Sequence, residues 1–408
     1  MPAVRLRGAE APQDFSKLLF ALWYARLRTF AQEVENGSIQ MMRLARRRDW
    51  IHYGLRVLRF AAPRGSGRRR VVRAVTDRVN PRHRRLSEWL SGLAPSAIVV
   101  GSPGVNFLDQ LVMIEARRLG IPVHCVVSSW DNLASRGPMI RRPATLSVWN
   151  AFMKRQAVEI HDYPAARTHV VGALQFTEYA RPVGPADLEA LSRRLGLPPD
   201  TPYALFVTGG LAAGYEAEDV AALAARLGQT RLAGRRLVVR VHPQAPVEPF
   251  RAIRHPSVVL DLAPRFASTG DNGLSFDRSE ARMMAALLSR ADAVFASWGT
   301  TALLEAAIFR RPIVQLRWMD ALPGRAPEDR DRIRDFQRYD HMKPFDAIGC
   351  RVFSDSPDDL ASRLDELFSR REHYAARCAR AAAELATVPL GDAPRRTLRV
   401  FAELANRR

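Results

Sequence analysis

Residues 292–316, DAVFASWGTTALLEAAIFRRPIVQL, decide the reading of this chain, because two compact apolar runs flank a small-residue turn and an apolar helical pattern. Val294 to Ala296 read as a buried strand. Gly299 frees the backbone, and Thr300 or Thr301 caps a helix carrying Leu303, Leu304, Ala307 and Ile308. Such a helix starts with unpaired N–H groups, where a diphosphate gains hydrogen bonds and a favourable dipole interaction. Glu305 lies about one turn inside, within reach of a ribose hydroxyl. An ordinary threonine-capped βαβ unit explains the same pattern without a ligand.

Outward from this unit, the same alternation extends in both directions. Upstream, YALFVTGG at 203–210 and RLVVRVHP at 236–243 read as strands around a helix from Glu218 to Leu227, and SVVLDL precedes a helix from Ser279 to Ser289. The stretch 181–202 carries five prolines and one short helix, as an entrance to a second domain does. Before it, AIVVG at 97–101, PVHCVV at 122–127, TLSVW at 145–149 and HVVG at 169–172 alternate with helical segments, one running from Phe107 to Leu119. Downstream, Ser356-Pro357-Asp358-Asp359 reads as a serine-capped helix start, and further helices close the chain. The fold class is therefore α/β with parallel sheets. The expected division is a helical, basic region over 1–90, the rest of a first Rossmann-like domain over 91–182, a second over 183–370 and C-terminal helices over 371–408.

The chain has 408 residues, enough for two cores, and a formal charge of +20. Residues 1–90 hold 20 Lys plus Arg against 7 Asp plus Glu, so +13 of that charge lies in less than a quarter of the chain. Aromatic-bearing helices expected over Phe15–Phe30 and Ile39–Phe60 mingle with these arginines. Together they point to an anionic surface, either a membrane with acidic lipids or nucleic acid. No recognition-helix, zinc or stacking-strand motif supports nucleic acid. No run of 18 apolar residues and no cleavable leader pattern appears, so the expected location is the cytoplasm, at the inner face of the membrane. Cys125, Cys350 and Cys378 lack metal spacing and read as buried thiols.

Loops after parallel strands are where such sheets place their chemistry. SSWDNLASRGPMIRR at 128–142 offers Asp131 as a carboxylate that can orient or deprotonate an acceptor hydroxyl, although a helix cap explains it nearly as well. In RVHPQ at 240–244, Arg240 and His242 share a strand face, and Pro243 holds His242 extended at the strand end, where both suit a diphosphate or leaving group. Gly209 and Gly210 leave a strand and permit close ligand approach. Two weaker candidates are the loop GSPGVNFLDQ at 101–110 and the segment RYDHMKPFD at 338–346, which reads as a lid. No metal site is expected.

The ordered set of GSPG, SSWDN, SVWN, HVVGALQF, LVVRVHP and ADAVFASWGTTALLEAAIFRRPIV resembles bacterial glycosyltransferases of the two-Rossmann-domain class, GT-B. It is also similar to the glycerophosphotransferases that build teichoic acid. The resemblance implies a nucleotide-activated donor held by the second domain, with His242 at its strand end, Ser297 to Thr301 as the phosphate loop and Glu305 as the ribose acid. The acceptor then approaches from the first domain, with Asp131 in the tryptophan-aspartate-asparagine element. Trp298-Gly299 departs from the serine-rich loop of the glycerophosphotransferases, and helix-like residues 1–60 depart from the usual opening strand. The expected function is metal-independent transfer from a nucleotide sugar, a substrate and not a resident cofactor, to a hydroxyl of a cell-envelope saccharide or lipid-linked acceptor. Glycerophosphate transfer, nucleotide-sugar epimerisation and a basic nucleic-acid-binding or interaction protein are the alternatives.

Overall fold

A computed structural model describes residues 83–101, 107–135, 139, 141–209, 213–262, 278–322 and 340–406. The expected helices over Phe15–Phe30 and Ile39–Phe60, most of the GSPG loop, Arg136, Gly137 and Gly210 lie outside them. The N-terminal part contains α1 (Arg84–Leu93), β1 (Ile98–Val100), α2 (Phe107–Arg118), β2 (Val123–Val126), the single turn α3 (Asn132–Ser135), β3 (Thr145–Val148), α4 (Ala151–His161) and β4 (Thr168–Val170). The second part runs α5 (Pro185–Leu195), β5 (Tyr203–Val207), α6 (Ala213–Leu227), β6 (Arg236–Val241), α7 (Glu248–Arg251), β7 (Val258–Leu262), α8 (Arg278–Arg290), β8 (Val294–Ala296), α9 (Thr301–Ile308) and β9 (Ile313–Leu316). It continues through α10 (Lys343–Ile348), β10 (Val352–Ser354), α11 (Leu360–Ser369) and α12 (Arg371–Ala381), and the described chain ends in α13 (Ala393–Ala405).

All described strands pair in parallel, in two separate sheets. The first has the order β1-β2-β3-β4, with Val100 opposite Cys125 and Cys125 opposite Leu146. The second has the order β10-β9-β8-β5-β6-β7, with Phe206 opposite Phe295 and Val207 opposite Arg240. Its winding starts at β5, proceeds outward to β7, returns to β8 beside β5 and then proceeds to the opposite edge. That reversal between β5 and β8 is a topological switch point, where adjacent connections leave on opposite faces and open a crevice at the strands' carboxyl ends.

Strand residues of the second sheet alternate between two apolar layers. Phe206, Val239, Phe295 and Val314 pack with Val220 and Leu223 of α6 and Leu360 and Leu364 of α11. Leu205, Val238, Val294 and Ile313 pack with Leu287 and Leu288 of α8 and Leu303 and Leu304 of α9. Burial on both faces is why these strands read as continuous apolar runs. The second layer merges with Cys125, Leu146 and Val148 of the first sheet. Cys125, Cys350 and Cys378 are buried free thiols.

The Ser356 helix start requires correction. Asp359 Oδ1 accepts from the Ser354 hydroxyl at 2.6 Å and its Oδ2 from the Asp355 N–H at 3.0 Å, which folds residues 355–359 into a turn. The helix begins only at Leu360. The chain after α12 returns to the first sheet. Asn150 caps α4 by accepting from the Met153 N–H at 2.9 Å, while its Nδ2 donates to the Leu385 carbonyl at 2.7 Å. Ala173 donates its N–H to the Ala386 carbonyl at 3.1 Å, and α13 packs against β2 and β3.

Candidate active site

The crevice at the switch point gathers the ends of β5, β6 and β8. Thr208 ties the first two together, because its Oγ1 accepts the His242 backbone N–H at 2.8 Å. The His242 Nδ1 accepts from the Gln244 N–H at 3.2 Å, so a neutral ring carries its proton on Nε2 and remains a donor there. Burial, and then the Arg240 charge, hold this imidazole below its ordinary pKa. His242 thus enters the site as a neutral, oriented hydrogen-bond donor.

Arg240 belongs to a closed ionic network. Its guanidinium donates to Asp261 at 2.6 Å and Glu280 at 2.8 Å, while Arg194 donates to the same two carboxylates at 2.6 and 2.7 Å. Asp261 is fully buried, so these pairings are screened little by solvent. The two charges of each sign balance, and the bonds of Arg240 are directed to protein carboxylates. It acts on His242, Glu305 and Tyr179 through its field.

Packing at the end of β8 accounts for Trp298-Gly299. Ser297 is buried, and its hydroxyl donates to Asp219 at 2.5 Å, anchoring the loop to α6. Trp298 is also buried and lies against Gly209, where an added Cβ would come within 2.0 Å of the indole Nε1. Gly209 therefore admits the tryptophan, and its N–H donates to Glu216 at 2.7 Å. A Cβ on Gly299 would lie 2.8 Å from Met342 Cγ. Both glycines serve close packing that positions the loop.

Thr300 is the extended N-cap of α9, its Oγ1 facing the Ala302 N–H at 3.5 Å, and Thr301 opens the helix. Both keep partial exposure at the crevice. Glu305 projects from the second turn and accepts the Tyr179 hydroxyl on Oε2 at 2.7 Å. Burial raises its carboxyl above the ordinary range, against the Tyr179 hydrogen bond and the Arg240 charge that pull it down.

Asp131 sits on the other domain, in the loop after β2. Its Oδ1 accepts the Ser129 hydroxyl at 2.5 Å and its carbonyl accepts the Ala134 N–H at 3.0 Å. Neighbouring Trp130 meets the His341 ring at 5.2 Å and Phe345 at 6.1 Å, both nearly edge-on. The turn Asp340–Met342 thus touches the Asp131 loop through His341 and the β8 loop through Met342. It joins the two halves of the candidate site. Among the described residues, no cluster of three or more His, Cys, Asp or Glu is arranged to hold a metal ion.

The residues that escaped sequence reasoning are Thr208, Trp298 as a buried support, Tyr179 and the Arg194–Asp261–Glu280 set. Their roles depend on cross-strand register and on the crossover, neither of which has a local sequence signature.

No protein-family model matches the sequence, and no curated protein does. Solved structures do match. UDP-GlcNAc 2-epimerase from Neisseria meningitidis, bound to UDP-GlcNAc, aligns with a TM-score of 0.51 and 12% identity over 85% of this chain and 84% of its own. A putative UDP-N-acetylglucosamine 2-epimerase from Listeria monocytogenes aligns at 0.52 with 13% identity, over 83% and 80%. The S. aureus MnaA–UDP complex aligns at 0.50 with 12% identity, over 79% and 78%. At such identities the likeness establishes the fold. This chain has the GT-B-like architecture of two parallel-sheet, Rossmann-like domains.

Proposed function

We propose that the protein is a glycosyltransferase that moves a sugar from a nucleotide-activated donor to a hydroxyl of a cell-envelope saccharide or lipid-linked acceptor. What supports this reading is that His242 ends β6 and the Thr300-capped α9, which carries Glu305, follows β8, on either side of β5 at the switch point. In this reading the α9 N–H groups and His242 Nε2 stabilise the departing diphosphate, and Glu305 accepts from the ribose. Asp131 accepts the acceptor's proton from the opposite domain as the hydroxyl attacks the anomeric carbon. These protein donors supply the electrostatic stabilisation, so the mechanism invokes no metal. The division at 91–182 and 183–370 into acceptor and donor domains belongs to the same proposal, as does action at the inner face of the membrane.

The second reading is nucleotide-sugar epimerisation, favoured by the three solved structures above. Glycerophosphate transfer is the third, distinguished by attack at phosphorus. Incubation of purified protein with a panel of nucleotide sugars and CDP-glycerol, with and without saccharide and lipid-linked acceptors, separates them. Acceptor-dependent nucleotide release with a glycosylated product supports transfer. Donor isomerisation without acceptor supports epimerisation, and a phosphodiester product overturns glycosyl transfer.

A further inference from the structure

Between the two sheets, the crossover carries an aromatic side chain into the donor-side crevice. Tyr179 belongs to the 3-10 segment Leu174–Ala180, with its ring stacked on Phe176 at 5.5 Å and 12° and met edge-on by Phe309 at 5.3 Å. Arg282 of α8 clamps the same segment: Nη1 donates to the Glu178 and Arg181 carbonyls, both at 2.8 Å, and Nη2 to the Pro182 carbonyl at 2.9 Å. The tyrosine is therefore fixed by stacking and by its backbone before its hydroxyl makes any bond.

That hydroxyl donates to Glu305 Oε2 at 2.7 Å. A glutamate on an exposed helix face samples many rotamers, and fixing one carboxylate oxygen removes most of that freedom. Among the described residues, Oε1 accepts no hydrogen bond, and Glu305 keeps partial exposure.

We propose that Tyr179 is a positioning residue for nucleoside recognition: by holding Oε2 it aims Oε1 of Glu305 at a ribose hydroxyl of the donor. The inference rests on the reading of this crevice as a nucleotide-donor site. It also places the acid under the crossover's control, so that recognition of the ribose depends on a residue outside the helix that carries the carboxylate. Tyr179 from the crossover and Arg240 from β6 are the ionisable groups that act on this carboxyl, and both favour its charged form.

Calorimetric titration of the full chain with the uridine, cytidine, adenosine and guanosine diphosphates, and with the 2′,3′-dideoxy counterpart of whichever binds, tests the proposal. Tyr179→Phe keeps the ring stack and removes only the hydroxyl. Its affinity for the ribonucleotide is expected to fall roughly tenfold, the size of one hydrogen bond to a charged group, while dideoxy binding is unchanged. Its loss of binding on acidification is expected to begin at higher pH, because the carboxyl loses a bond that favours its ionised form. Glu305→Gln sets the full effect, and the double variant is expected to be no weaker than Glu305→Gln alone. Unchanged ribonucleotide affinity in Tyr179→Phe, or an equal loss for both sugars, overturns the positioning role and leaves the donor site standing. Failure of the wild-type chain to bind any of the four overturns the donor-site reading, and this inference with it.

Discussion

The two sheets carry their candidate groups in different ways. In the second, a reversal of strand order draws three strand ends together, and each candidate group is held from several sides: His242 through Thr208 and Gln244, Glu305 through Tyr179, the β8 loop through Asp219 and Trp298. In the first, the described strands follow sequence order, and Asp131 stands in the loop after β2, where its carboxylate accepts the Ser129 hydroxyl. The difference matches the two tasks proposed for them. A diphosphate of fixed geometry is served by rigid donors, whereas a base must meet the hydroxyl of a separate, larger acceptor and then release its proton.

Asp131→Asn is expected to have the largest effect. Transfer is expected to slow by about 10²- to 10⁴-fold, with donor affinity nearly unchanged, because the amide keeps hydrogen bonding but does not take a proton. Initial rates and donor titrations on the folded variant check both halves, and near-normal transfer removes Asp131 as base. The first sheet should also carry an acid-labile group. His124 is fully buried between Thr145 and Ser147 hydroxyls, and burial lowers its pKa to about 4. Its depressed folded pKa means that stability is complete above the unfolded value near 6.5 and falls as pH drops towards 4, by about 3 kcal/mol in all. Denaturant midpoints at pH 7 and 4.5 measure it, and His124→Gln is expected to flatten the difference.

On the donor side, His242→Ala is expected to lower turnover by about a hundredfold and to weaken nucleoside diphosphate binding, the effect of losing one oriented donor to the leaving group. Unchanged affinity and turnover would exclude it from the site. Smaller still is a contrast of two glycines. Gly209→Ala forces a methyl against Trp298 and is expected to cost about 1–3 kcal/mol, whereas Gly101→Ala, after β1, meets nothing within 4 Å and should stay within about 0.5 kcal/mol. Thermal unfolding of the pair reads the difference. A separate expectation is peripheral membrane contact through the basic residues 1–90, where each arginine near the surface contributes about 1 kcal/mol. Flotation with anionic and neutral vesicles at low and high salt checks it, and equal negligible binding to both rejects it.

Much of the fold is legible locally, since buried parallel strands leave apolar runs and helices leave caps. Asn150, Gly184 and Gly196 mark helix ends where the structure has them. Strand order is not local, because nothing in YALFV or AVFAS states that β5 and β8 are neighbours. For that reason Arg240 reads as a lone cation in RVHP, while its partners Asp261 and Glu280 are 21 and 40 residues away. The family resemblance implies that Ser297 belongs to a phosphate loop, and only packing against α6 reveals Asp219 as its partner. Ser356 shows the limit of caps themselves, since Asp359 competes for the same turn. Of the candidate site, the places of Glu305 and His242 in the βαβ pattern are legible, and the Tyr179 contact is not.

The chain passes between the sheets twice, outward after β4 and back before α13. The two passages are stitched side by side where Ala173 meets Ala386, and Thr387 is anchored on the Trp149 carbonyl at 2.6 Å. A pair of bodies joined by one flexible strand can tumble in any direction, but two adjoining strands behave as a door's hinge. Any opening of the cleft is therefore expected to turn about the line through that seam, because sliding and torsion would break its hydrogen bonds.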